Sequence, residues 1–326
     1  MIKVSVIIPI YNAGKYLNDC LEALLAQTLK EIEFILVIDC PTDGSDIVAK
    51  RYAQFDSRFI IVENKENLHI GNSRNKGISI ARGEYLAFCD HDDIMDSDMY
   101  ERMYNEAISQ NVEILISHPT WDINGEKHPL TILPMDKENI QKQILSDLLS
   151  SGGPANNITP FCYIHNNIYK HSLIQKNSLR FIDTKNMTPE DVLFNIEAIY
   201  CAKKIAYLPY TLYYHRIITE STGHQSYYQE WKGRFNGLNY VYEWLTRNHL
   251  YSGTTLADFQ IMVQEIILDG LLSTLLKHKW SDFFTAFCQA RQYPFTHDAM
   301  KHYLDQQPRP FLKKAFRRFI CITLAL

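Results

Sequence analysis

Three carboxylates stand within four residues at Asp90-His91-Asp92-Asp93, directly after the apolar run Tyr85 to Cys89. Carboxylates this close repel one another and need a counter-charge in a folded protein. A hard divalent cation is one, since Mg²⁺ and its like take oxygen ligands and commonly keep only one or two protein carboxylates. The run in front has the pattern of a strand buried on both faces of a parallel sheet. In open α/β sheets, ligands bind just beyond such strand ends. The alternative is a solvated acidic turn capping the next helix through Asp93, Asp96 or Ser97. The short motif alone does not separate the two.

The elements that must position these groups form a strand–helix alternation over residues 1–117. Val4 to Ile8 reads as a buried strand ending at Pro9, followed by the turn Tyr11-Asn12-Ala13-Gly14. Helical spacing runs from Lys15 to Ala26, and a second buried strand from Phe34 to Ile38 ends at Asp39. Thr42, Asp43 and Ser45 are N-cap types for a helix whose expected inner face is Ile47, Val48, the Arg51 stem, Tyr52 and Phe55. A third strand spans Phe59 to Val62, and a helix from Asn72 to Ala81 is expected to close at a C-cap Gly83. After the acid-ended strand come a helix over Ser97 to Gln110 and a strand over Ile114 to Ser117. Alternation at this spacing predicts an α/β fold with a mainly parallel sheet and helices on both faces.

Beyond Trp121 the pattern loosens. Gly152-Gly153-Pro154 with Asn156-Asn157 marks a loop of the kind that covers an active site. Pro189 at a helix N1 position opens Glu190 to Ala202, and strands are expected over Ile205 to Leu208 and Leu212 to His215, around Pro209. From residue 225 the composition shifts to helix formers and aromatics, a separate helical region whose aromatic stripe is expected to be core. At its end Arg309, Lys313, Lys314, Arg317 and Arg318 oppose Phe311, Leu312, Phe316, Phe319 and Ile322 on a helical wheel. This is the pattern of a helix lying on an anionic membrane surface, or equally of a docked helix with a solvated basic face.

Composition narrows the function classes. A hydrophobic fraction of 46% and a charged fraction of 21% fit a globular chain with a real core, and the net charge of −4 argues against a general nucleic-acid binder. Seven cysteines without C-x-x-C spacing fit free thiols better than a disulfide framework. No stretch approaches the roughly 20 apolar residues of a membrane span. The expectation is a cytoplasmic enzyme, peripheral on the inner face of the cytoplasmic membrane if 309–326 binds lipid.

Over roughly residues 3–220 the sequence resembles glycosyltransferase family 2, the inverting nucleotide-sugar transferases of A-type fold. The resemblance is carried in order by Val4 to Asn12, Asp39 with Thr42-Asp43, Arg74-Asn75-Lys76-Gly77, Ala81 to Asp93, Glu190-Asp191 with Phe194, and Tyr213-Tyr214-His215-Arg216. It implies a Rossmann-like nucleotide-sugar-binding sheet and a catalytic domain over 1–224, divided into a nucleotide-binding part (1–117) and an acceptor part (118–224), before a helical region over 225–326. It implies Mn²⁺ or Mg²⁺ held by Asp92 with Asp90, Asp93 as a third ligand, and His215 completing metal or pyrophosphate contacts. Donor contacts would come from Pro9, Tyr11, Asn12, Asp39, Arg74, Asp90 and His91, with Asp39 accepting a uracil imide N–H. Asp191 would be the general base on an acceptor hydroxyl, an effect worth about 10²–10⁴-fold; helix N-terminal charge is the other account of Glu190-Asp191. Lys76 and Arg82 read as surface charges. The implied partners are a UDP-sugar donor and a glycan or lipid-linked glycan acceptor, in surface polysaccharide or lipopolysaccharide synthesis.

One departure is Cys40-Pro41, where the family has small residues, Gly then Ser. It bears on the loop beside the nucleobase, since proline removes a donor and fixes φ. Competing readings are a sugar-nucleotide nucleotidyltransferase, a phosphatase with a nucleophilic Asp90, and a non-catalytic membrane-associated scaffold descended from a transferase. A dehydrogenase is excluded because no G-x-G-x-x-G follows any strand.

Overall fold

The computed structural model describes residues 1–130, 139–150, 161–185, 187–217, 227–276, 280–306, 320 and 324. The chain divides into two compact units: Met1–Gln143, Pro160–Thr184 and Phe194–Thr219 in the first, Ile144–Thr159, Lys185–Leu193 and Glu220–Leu326 in the second.

The first unit is built on a mixed sheet. Its strands are β1 (Val4–Ile10), β2 (Ile32–Ile38), β3 (Phe59–Glu63), β4 (Tyr85–Phe88), β5 (Ile94–Met95), β6 (Ile114–Ile123), β7 (Glu126–Pro129), β8 (Asn167–Lys170) and β9 (Ile205–Arg216). Their order is β3-β2-β1-β4-β8-β6-β9-β5, with β7 on β6. The continuous apolar runs of β1, β2 and β4 are buried along their whole length, as strands covered on both faces must be. β1 pairs in parallel with both β2 and β4, so Ile10, Ile38 and Phe88 end at the same edge of the sheet. Everything that follows those strands, Tyr11-Asn12, Asp39 and Asp90 to Asp93, is delivered to that edge. β8 inserts antiparallel between β4 and β6, and β9 runs parallel to β6 and antiparallel to β5.

Several elements differ from the sequence expectation, each for a local reason. The two strands expected around Pro209 are one strand, β9. The register against β6 jumps from Ser117↔Leu208 to His118↔Thr211, and this irregularity absorbs the proline, which has no N–H for a ladder. The helix α2 (Ser45–Phe55), which follows α1 (Leu17–Leu25), buries Ser45, Ala49 and Tyr52 and leaves Ile47 71% and Phe55 78% exposed. Tyr52 is buried as expected and Val48 packs against the core, but Ser45 and Ala49 take the places expected of Ile47 and Phe55. The helix α3 (His69–Ile80) ends at Ala81 in extended backbone, so Gly83 is not its cap. Gly83 is required by space instead: a Cβ there would lie 2.4 Å from Ser5 N. Arg82 is not a mere surface charge, because its guanidinium grips the buried Glu33 carboxylate, which also accepts from Ser5 Oγ and Arg82 N.

The helices α4 (Met99–Gln110), α5 (Ile140–Ser150), α6 (His171–Lys176) and α7 (Glu190–Cys201) complete the region before residue 219. The second unit contains α8 (Tyr227–Arg247), α9 (Gly253–Leu276), α10 (Trp280–Ala290) and α11 (Pro294–Gln306). Phe235, Val241 and Trp244 of α8, Phe259 and Ile267 of α9, and Phe295 of α11 are buried there, and the Tyr242, Tyr251, Phe259 and Phe295 rings pack against one another. Of the aromatic stripe, Phe235 and Trp244 are core, as expected, and Tyr240 and Tyr242 are half-buried. The loop at Gly152–Asn157, the basic segment from 309 (apart from Ile320 and Leu324) and the side chains of Tyr227, Tyr228 and Trp231 lie outside the described residues. No helix among the described residues is long and apolar enough to cross a membrane.

Gly83→Ala should destabilise the chain by about 1–3 kcal/mol, the usual range for overpacking a close contact. Urea unfolding at constant m-value measures it, and an unchanged midpoint would mean the Ser5 backbone yields.

Candidate active site

At the common strand edge the acidic tip of β4 is sorted into three different environments. Asp93 is fully buried and already satisfied. Its Oδ2 accepts from Tyr213 Oη (2.8 Å) and pairs with His215 Nδ1 (3.1 Å), and its Oδ1 accepts from Arg216 N (2.8 Å). The Tyr213 hydroxyl in turn accepts from Asp90 N at 3.1 Å. These bonds fasten the β4–β5 segment to the end of β9, and the pairing Ile94↔Tyr214 continues the seam.

Asp90 turns to the other side. Its Oδ1 accepts from Arg74 Nη2 at 2.9 Å, and Arg74 is itself buried over the Phe181 ring. Burial would raise the Asp90 pKa, but the Arg74 guanidinium leads the charges that outweigh it and bring it to about 2. Asp92 receives no such partner: among the described residues no donor reaches its carboxylate. Burial, then the Asp93 charge, raises it to about 6, with His91 opposing. A carboxylate raised in this way is poised for a cation, which would remove the repulsion.

Two imidazoles stand behind the carboxylates. One ligand atom from each of Asp90, Asp93, His165 and His215 falls within 4.8 Å of the others. Burial would lower His215, but Asp93, joined by Asp90 and Asp92, holds it at about 9. Burial takes His165 down to about 4, against the pull of Asp93. The His165 ring stacks between Tyr213 (4.5 Å) and His215 (5.1 Å), with its Nδ1 3.8 Å from Asp90 Oδ2. Sequence reasoning missed His165. Its segment is fixed by Asn195 of α7, which donates to the carbonyls of Phe161, Cys162 and Tyr163, and by Asn166 bonding Ser117 of β6. The polar run His165-Asn166-Asn167 after an aromatic stretch was the available signal.

The donor set of two carboxylates and two imidazoles suits a first-row divalent ion such as Mn²⁺. Asp93 in this group already accepts from Tyr213, His215 and the Arg216 amide, and Asp92 is not part of it. Asp90, Asp93, His165 and His215 fit a divalent cation.

The remaining predicted donor residues line the same edge. Asp39 is 2% exposed, and its Oδ1 accepts from Asn64 Nδ2 (2.8 Å) and Leu68 N (2.7 Å), while no described donor reaches Oδ2. Asn12, at φ +46°, is occupied internally: its Oδ1 accepts from Thr42 N at 2.7 Å and ties the turns after β1 and β2 together. Tyr11 is exposed, and the Pro9 carbonyl lies 3.2 Å from His91 Nδ1, so these two predicted contacts meet each other. Cys40 has φ +55°, the left-handed region that favours glycine, and its side chain is exposed. Asp191 lies in the first turn of α7 and belongs to the second unit, half-buried, with Oδ1 accepting from Val192 N at 3.0 Å.

The His215–Asp93 pair makes a pH prediction. His215 is raised from its ordinary 6.5 to about 9, so its contribution is complete below 6.5 and lost as pH rises through about 9. Without divalent cation, the melting-temperature gap between the unaltered chain and His215→Gln should therefore shrink across that window. A gap that does not change with pH would mean that the imidazole is uncharged throughout.

Comparison with known proteins bears on the family and the fold. The family model described as glycosyl transferase family 2 matches residues 5–176. EpsH of Bacillus subtilis is 30% identical over 216 residues, 66% of this chain and 60% of that protein, so the match spans about 60% of the length of such curated relatives. Poly(ribitol-phosphate) beta-glucosyltransferase of Bacillus spizizenii is 29% identical over 207 residues, 63% of this chain and 30% of that one. Among solved structures, S. aureus TarS 1–349 in complex with UDP-GlcNAc superposes with a TM-score of 0.64 at 19% identity, covering 99% of this chain and 89% of that one. The mannosyltransferase PcManGT of Pyrobaculum calidifontis, in complex with GDP-Man and Mn²⁺, gives 0.56 at 13% identity, covering 99% and 86%. These two likenesses concern the fold, which is the A-type fold of nucleotide-sugar transferases. With the matched model covering more than half of its residues, the chain belongs to glycosyltransferase family 2.

Proposed function

We propose that this chain transfers one sugar from a UDP-sugar, with inversion and with Mn²⁺ or Mg²⁺, to a hydroxyl of a growing surface glycan. The observation that carries this reading is the group of carboxylates at adjoining strand ends, among which, within the described residues, Asp92 has no donor on its carboxylate. A divalent ion, when bound, neutralises charge developing on the departing diphosphate. Asp92 and Asp90 would hold it, and His215 is the group of β9 proposed to face the pyrophosphate. Asp39 is the nucleobase residue: with Oδ1 filled by Asn64 and Leu68, Oδ2 remains to accept an imide N–H. Arg74, Pro9, Tyr11, Asn12 and His91 shape the surrounding pocket. Asp191 takes the proton of the acceptor hydroxyl as its oxygen attacks the anomeric carbon from the side opposite the nucleotide, and the carbon–oxygen bond to the phosphate breaks.

The donor class is supported by TarS, whose structure contains UDP-GlcNAc, and the ion by PcManGT, whose structure contains Mn²⁺. The acceptor class is supported by the teichoic-acid type relative named above. The division into a catalytic domain over 1–224 and a helical region over 225–326 is part of the same reading, as is a lipid-linked acceptor met through 309–326.

UDP with Mn²⁺ should raise the melting temperature of the unaltered chain, and Asp92→Ala should abolish the Mn²⁺-dependent part of that rise. Thermal-shift measurement with UDP and GDP in parallel checks it. Equal shifts in Asp92→Ala would remove the metal assignment, and a larger shift with GDP would change the donor class. Deleting residues 310–326 should release the chain from vesicles containing anionic lipid in a flotation assay; retention would make that segment structural.

A further inference from the structure

Two glycines one turn apart in α8, Gly233 and Gly237, face Thr188. Both lie within a helix, where glycine is less favourable than alanine by roughly 1 kcal/mol each. Space accounts for them. A Cβ on Gly237 would lie 2.3 Å from the Thr188 carbonyl oxygen, and one on Gly233 would lie 2.9 Å from Thr188 Oγ1. Thr188 N donates to the Gly233 carbonyl at 3.1 Å. Its Oγ1 is buried with no hydrogen-bond partner among the described residues, so the hydroxyl is held there by packing. On the far side of Glu190-Asp191, Val192 and Leu193 share an apolar pocket with Leu238, Val241 and Met262. The first turn of α7 is therefore seated on neighbouring helices both before and after Asp191, and all of these contacts fall within the second unit.

We propose that Gly233 and Gly237 form a notch that seats Thr188 and thereby sets the direction of the Asp191 carboxylate. Both glycines are positioning residues for proton removal from the acceptor, an inference that rests on the reading of Asp191 as the general base. A side chain in the notch must push the Thr188 backbone outward and carry the start of α7 with it. Donor binding depends on groups of the first unit, so the effect falls on kcat and spares the donor KM.

The test uses the full chain with Mn²⁺ and follows nucleotide release from whichever UDP- or GDP-sugar the unaltered chain hydrolyses fastest with water as acceptor. Gly237→Ala should lower kcat by about tenfold or more with the donor KM within about twofold, since misplacement by 1 Å is worth up to about 10²-fold. Gly233→Ala should also lower kcat, and adding Thr188→Ala should restore most of the loss, because the Oγ1 that the new methyl strikes is gone. Unaltered kcat in Gly237→Ala, or a double variant no better than Gly233→Ala alone, overturns the notch. If Gly237→Ala does not fold, the Gly233 pair decides by itself. Full activity in Asp191→Asn, or no hydrolysis of any nucleotide sugar by the unaltered chain, overturns the base assignment instead.

Discussion

A single buried carboxylate holds the candidate site together. Asp93 has no exposure to water, and a charge so placed is tolerated only when it is paired and hydrogen-bonded. Its three partners, Tyr213, His215 and the Arg216 amide, come from a strand about 120 residues further along the chain. The tip of β4 therefore acquires its shape only when β9 has docked on β6 and β5. The bond also divides the labour among its neighbours. With Asp93 satisfied by β9 and Asp90 matched by Arg74, the charge left over resides on Asp92. Two acids that look equivalent in the sequence thus part company, with Asp90 brought to about 2 and Asp92 raised to about 6.

That division shows where sequence reasoning reaches and where it stops. The strands of the parallel half were legible because each is an uninterrupted apolar run, and the run's end marks where the chain meets the ligand edge. Asp39 and the acid tip were found for that reason. What the sequence does not show is that the Asp93 side chain turns towards β9, because that direction depends on partners supplied by Tyr213, His215 and Arg216. His165 was out of reach for the same cause: its segment is held by Asn195 and Ser117, neither of them near in sequence. The inner face of α2 is right at Tyr52 and Val48 and wrong at Ile47 and Phe55, because apolar character alone does not pick out the small buried residues Ser45 and Ala49. Arg82 looked like a surface charge because its partner, Glu33, lies before the strand as read from the sequence, whereas β2 begins at Ile32 and buries it.

The first unit also ties many of its buried polar groups into networks. Glu33 is closed by Arg82 and Ser5, and Asn195, Tyr169 and Asn167 bond one another behind His165. Networks of this kind specify one arrangement, because a shifted partner leaves a buried group unsatisfied. The imidazole stack of His165 and His215 is thereby held rigid from behind, while the carboxylates in front of it stay partly open to solvent.

The left-handed backbone at Cys40 has a consequence for variation. At φ +55° a side chain branched at its β-carbon is strained, so valine, isoleucine and threonine are disfavoured there whatever the ligand. Glycine, asparagine or a slender unbranched side chain is what the position admits. The repertoire next to Asp39 is thus narrowed by main-chain geometry, and variation along this edge falls more readily on its neighbours.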